Sequence, residues 1–126
     1  MTAITSHRPL SKCTPDIAQN QIRARASWEG VFEAIVYFGE DSPVLGGDKV
    51  SFISCEPFPQ IKAMAQCAAR TAGWSVLINS DIVVGEYLTV IEDRLKEVGA
   101  CSCISKRYQF DPRNERIPNK VVDLGL

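Results

Sequence analysis

The residues best placed to do chemistry are Asn79, Ser80 and Asp81, a short polar step at the end of the apolar run Val76-Leu77-Ile78. The run reads as a buried strand, with helix-like segments before it (60–71) and after it (86–98). In open α/β sheets, ligands bind just outside the carboxyl ends of the strands. A carboxylate at such an end, beside two short polar side chains, can hold a cation or a sugar hydroxyl.

Other strand ends would bring further groups to the same rim. After the first strand these are Thr5, Ser6, His7 and Arg8; after the second, Gly39, Glu40 and Asp41; after a fifth, Ser105, Lys106 and Arg107. Carboxylates and hydroxyls together suit a hard divalent cation, Mg²⁺ or Mn²⁺, which takes oxygen ligands. Such a metal can bridge a nucleotide diphosphate, and Arg8, Lys106 and Arg107 can meet phosphate oxygens.

Each residue also has a structural reading. An Asp after a strand often caps the next helix, but the apolar stripe begins near Glu86, several residues past Asp81, which favours the ligand role. Glu40 and Asp41 fall in a Gly/Pro-rich loop and read equally well as a solvated turn. His7 is a lone loop histidine, ordinarily solvated. Arg107, next to Tyr108, suits the surface as well as a phosphate. Trp28 and Trp74 read as core anchors. The chain holds no G-x-S-x-G elbow, Walker A loop or G-x-G-x-x-G turn.

The elements that must position these residues follow from patterning. Residues 1–5 form a short first strand, 6–16 a loop with Pro9 and Pro15, and 17–28 a helix with apolar Ile17, Ile22, Ala26 and Trp28. The run 34–38 is a buried strand stopped by Gly39, and 50–55 is another, closed by Pro57 and Pro59. Helix 60–71, strand 76–78 and helix 86–98 follow, the last with Leu88, Ile91, Leu95 and Val98 on one stripe. Residues 100–104 read as a fifth strand and 121–124 as a final short one. Strands alternating with helices predict a mostly parallel α/β sheet with helices on both faces.

The chain has 126 residues, which suits a single domain over 1–126. A net charge of -1 gives no basic field for nucleic acid or an anionic membrane. No apolar run reaches the roughly 20 residues of a membrane span, and the first residues lack the pattern of a secretory signal. Five irregularly spaced cysteines argue against a disulfide framework and for a reducing, cytoplasmic setting. Cys101 and Cys103 share one face of the expected fifth strand and read as small buried hydrophobes rather than zinc ligands.

The succession of these motifs resembles a known family. A strand ending in an acidic loop (34–41), an Ala-rich helix (61–73) and Gly73-Trp74-Ser75-Val76-Leu77-Ile78-Asn79-Ser80-Asp81 look like the nucleotide-binding half of GT-A-fold glycosyltransferases of the family 2-like group. There an Ala-rich helix precedes G-[WY]-x-x-x-x-[DN]-x-D. Ser105-Lys106-Arg107-Tyr108-Gln109-Phe110-Asp111 is similar to the segment after the next strand in some members.

The resemblance implies a Rossmann-like GT-A half that binds a nucleotide-diphosphate sugar. Asp81 would take the metal, Mn²⁺ or Mg²⁺, with Asn79 in the first place of the family's D-x-D. Glu40 or Asp41 would contact the base or ribose, and Thr5, His7 and Arg8 would line the nucleotide pocket. Asn79 brings no charge where the family has an acid, and Ala63-Met64-Ala65 stands where the family has Ala-Arg-Asn. Family members continue well past the position of Leu126 into residues that carry the acceptor site and the catalytic base. The expectation is therefore a glycosyltransferase-like domain, shortened relative to the family, that binds the donor and has no assigned base. The competing expectation is a non-catalytic α/β interaction module, a homo-oligomer or one completed by a partner chain.

Overall fold

The computed structural model describes residues 1–40, 46–55 and 61–103. Of these, the residues up to Leu88 belong to one compact unit and those from Thr89 on to a second.

In the first unit, four parallel strands make one sheet: β1 (Thr2–Ser6), β2 (Ala34–Gly39), β3 (Val50–Ser54) and β4 (Ser75–Leu77), in the order β3-β2-β1-β4. Their bounds match the expected strands to within a residue or two. β1 lies inside the sheet, with Thr2 opposite Ala34 on one side and Ser75 on the other.

Two helices cover the sheet, and the two-residue period of the strands decides which side chains each meets. On one face, Ala3, Ile35 and Tyr37 pack with Ala24, Trp28 and Phe32 of α1 (Pro15–Trp28) and the turn after it. On the other, Ile4 and Phe38 pack with Met64 of α2 (Ile61–Arg70), with Val36, Cys67 and Ala68 alongside. The neighbours in sequence, Ala3 and Ile4, are both fully buried and serve opposite cores. The expected parallel α/β architecture with helices on both faces is the one observed.

α1 begins where local chemistry tells it to. The Thr14 hydroxyl accepts from the Ile17 amide at 3.4 Å, Pro15 opens the helix, and Asp16 complements the positive end of the helix dipole. Its buried face differs from the expected one. Gln21, Ala24, Arg25 and Trp28 are buried, whereas Ile22 is 39% exposed and Ala26 is also exposed. Two of the inward positions are polar, Gln21 donating to the Arg8 carbonyl and Arg25 in an ion pair with Glu29, so hydrophobic periodicity brings Trp28 inside but does not find these two. Trp28 anchors the true face, meeting Phe32 edge-on at 5.8 Å and Tyr37 in a stacked arrangement at 6.5 Å. Fully burying such side chains stabilises the fold by about 1.5–3 kcal/mol each.

A further helix, α3 (Leu88–Glu97), starts where the first unit ends. It stops in a Schellman motif. Gly99 sits at φ +67, the Ala100 amide donates to the Leu95 carbonyl at 2.9 Å, and the Gly99 amide donates to Lys96 at 3.1 Å. Beyond it, residues 100–103 are not a strand, and Cys101 and Cys103 are exposed. The expected fifth strand and its buried cysteine pair are therefore corrected over these positions. The small residues Ala100-Cys101-Ser102-Cys103 carry a strand signal, but among the described residues no strand pairs with them. Residue 104 and the expected strand over 121–124 lie outside the described residues.

Candidate functional site

The strand order locates a topological switch point. From β1 the chain steps to β2 and then β3 in one direction, and β4 then pairs on the opposite side of β1. The order reverses between β1 and β4, and ligands of open parallel sheets bind at such a switch point, outside the carboxyl ends. Two segments leave the sheet there: residues 7–14 after β1 and residues 78–84 after β4.

The first segment is held in place by its own polar contacts. The His7 amide donates to the Phe38 carbonyl at 2.7 Å, and its ring meets Tyr37 edge-on at 5.6 Å. Gln21 Nε2, buried on α1, donates to the Arg8 carbonyl at 3.3 Å and approaches Cys13 Sγ at 3.2 Å. Cys13 Sγ donates in turn to the Pro9 carbonyl at 3.3 Å. A short 3-10 turn, Leu10–Lys12, then aims Lys12 Nζ at Glu40 Oε2, 2.5 Å away at the end of β2.

The second segment turns sharply. The Ile78 amide still donates to the Ile4 carbonyl at 3.0 Å, and the Ile82 amide closes a turn on the Asn79 carbonyl at 3.2 Å. Asn79 and Asp81 are exposed on this turn, with Ser80 half-buried. Because α3 begins only at Leu88, Asp81 does not cap it.

Of the residues singled out from sequence, the structure gathers Ser6, His7, Arg8 and Glu40 along the carboxyl ends of β1 and β2, and Asn79 and Asp81 beyond β4. Thr5 is fully buried within β1, its hydroxyl donating to the Ser6 carbonyl at 3.3 Å. Asp41 and Arg107, with Ser105 and Lys106, lie outside the described residues. Among the described residues no group of three or more His, Cys, Asp or Glu gathers as a metal cluster. Asp81 thus offers one carboxylate, next to the amide of Asn79 and the hydroxyl of Ser80. Carboxylate, amide and hydroxyl oxygens are hard donors of the kind that Mg²⁺ and Mn²⁺ take.

Several residues that shape this region carried no functional signal in the sequence. Gln21, Lys12, Ser27 and Trp28 are examples, each acting on a backbone group or an ion distant in the chain. Arg25 is another. It is 5% exposed, with Nη1 2.7 Å from Glu29 Oε1 in an ion pair poorly aligned for hydrogen bonding, and Nε has no partner among the described residues. Burial pushes the Tyr37 hydroxyl above its ordinary pKa, the Arg25 charge opposes that rise, and Glu29 adds to it. A separate cleft of about 290 Å³ opens between α2 and the β2–β3 side of the sheet, lined by Phe38, Ile53, Gln66, Cys67 and Arg70 among others. None of the residues singled out from sequence lines it.

The fold defines an α/β protein with a Rossmann-like parallel sheet. Compared with family models, curated proteins and solved structures, the chain has no match. Among the described residues no helix is long and apolar enough to cross a membrane.

Proposed function

We propose that this chain binds a nucleotide-diphosphate sugar at the β1/β4 switch point, with Mg²⁺ or Mn²⁺ held by Asp81, as the donor-binding part of a glycosyltransferase-like protein. The observation that carries the reading is the strand order β3-β2-β1-β4, in which the Asn79–Asp81 turn and the 7–14 segment follow the carboxyl ends of the neighbouring strands β4 and β1. In this reading Arg8 meets phosphate, Glu40 accepts from ribose hydroxyls with Lys12 holding its carboxylate, and Asn79 adds a neutral oxygen beside the metal. A bound metal supplies charge neutralisation of a leaving diphosphate in hexosyl transfer. The chain's own residues bind and orient the donor, and the acceptor and the base are left unassigned. A cytoplasmic setting agrees with five cysteines, none of them in a disulfide.

The test is calorimetric titration of UDP- and GDP-sugars, with and without Mn²⁺, into wild type and Asp81→Ala. Metal-dependent binding that the substitution abolishes is expected. Absence of binding in wild type overturns the reading.

One observation favours a second reading, an interaction module. β4 is an edge among the described strands, and Leu77 on it is 48% exposed. An exposed edge can pair with a strand of a second copy or another chain. This reading expects concentration-dependent association in sedimentation and indifference to nucleotide; a monomer at all concentrations rejects it.

A further inference from the structure

Ser27 and Trp28 close α1, far in sequence from the Asp81 turn, yet both reach it. Trp28 is fully buried, and its indole Nε1 donates to the Ile82 carbonyl at 2.9 Å. Ser27 Oγ accepts from the Val84 amide at 3.0 Å and donates to the Ala24 carbonyl at 2.6 Å. The hydroxyl therefore uses its proton on its own helix and a lone pair on the segment after β4. The other end of the turn is tied to the sheet through the Ile78 amide and the Ile4 carbonyl, 3.0 Å apart. Asp81 is an exposed member of a turn anchored to β1 on one side and to α1 on the other.

Core packing explains the ring of Trp28, which a phenyl ring would largely replace. It does not explain two side-chain polar atoms aimed at backbone groups 54 and 57 residues away. We infer that Ser27 and Trp28 are positioning residues that fix the 79–82 turn and, through it, the Asp81 carboxylate. The consequence for ligand binding rests on the metal-dependent site proposed above. A turn already ordered spares a metal-bound nucleotide the cost of ordering it.

Three variants separate this role from packing. Trp28→Phe keeps an aromatic ring and removes the donor. Ser27→Ala removes the acceptor, and Ser27→Thr retains it. Amide hydrogen exchange on the whole protein reads the turn directly, with amides in the middle of α1 and β1 as internal references. Exchange at Ile82 and Val84 is expected to quicken about tenfold in Trp28→Phe and Ser27→Ala, with the references unchanged. Ser27→Thr is expected to keep the wild-type rate. Mn²⁺-dependent UDP or GDP binding should weaken about tenfold in the same two variants while metal-free binding holds.

Unchanged exchange overturns the positioning role, whatever happens to binding. Quickened exchange with unchanged Mn²⁺-dependent affinity overturns the link to Asp81. If wild type binds no nucleotide, the proposed function fails on its own. Mn²⁺ alone then serves as the probe, by paramagnetic broadening of the Asp81 amide. Broadening in wild type that is reduced in Ser27→Ala supports the inference, and no broadening in wild type overturns it. Should Trp28→Phe not fold, the Ser27 pair carries the test.

Discussion

The carbonyl oxygen of His7 lies 3.0 Å from where a β-carbon on Gly39 would sit, and His7 Cβ lies 3.4 Å from it. Neither backbone has much room to retreat. The His7 amide is bonded to the Phe38 carbonyl at 2.7 Å, and the Gly39 carbonyl accepts from the Cys55 amide at 2.8 Å. Gly39 is thus the residue that lets the segment after β1 cross the end of β2. Gly39→Ala is expected to cost roughly 1–3 kcal/mol, as overpacking against a constrained neighbour does. Urea denaturation measures it, and a wild-type midpoint would show that the segment yields.

Met64 and Ile61 on α2 make a contrasting pair. Met64 is 9% exposed and packs with Ile4 and Phe38, while Ile61 is 77% exposed. Met64→Ala is expected to lower stability by about 2–5 kcal/mol, and Ile61→Ala by no more than about 0.5 kcal/mol. Equal losses in thermal or chemical unfolding would mean that α2 does not cover the sheet as described.

Tyr37 gives stability an alkaline limit. Burial raises its pKa above the ordinary 10.0, the Arg25 charge partly opposing the shift. The unfolded chain therefore loses this proton first as pH rises. The contribution is present in full below pH 10 or so and is lost as pH climbs through the raised folded value. Tyrosinate absorbance should show a late-titrating tyrosine that Tyr37→Phe removes. If all three tyrosines titrate together at the ordinary value, the packing around Tyr37 is not as described.

The strands were the most legible part of the chain. Apolar runs such as Ala34 to Phe38, stopped by Gly39, mark buried parallel strands because both faces of the sheet are covered. α1 starts at Pro15, inside the stretch expected as a loop and two residues before the expected start, while the end of α3 was legible from Gly99. The buried face of α1 was not. Gln21 and Arg25 are polar, and their place inside depends on the Arg8 carbonyl and Glu29, which no local pattern reveals. The fifth strand failed over 100–103 for a related reason: a strand needs a neighbour to pair with, and alternation within four residues cannot supply one.

The candidate site divides in the same way. Residue types and strand ends already set His7, Arg8, Glu40, Asn79 and Asp81 as rim residues, because the end of an apolar run is where backbone and polar side chains reach water. Strand order was beyond the sequence. Only the pairing of β4 with the free side of β1 makes the reversal that sets the two segments after neighbouring strands. Only the tertiary structure brings Lys12 to Glu40, and Ser27 and Trp28 to the backbone after Asp81. The physical reason is range. Propensity, capping and periodicity act over a few neighbouring residues and are written in local sequence. A hydrogen bond between residues more than fifty positions apart exists only once the sheet has closed the loop between them.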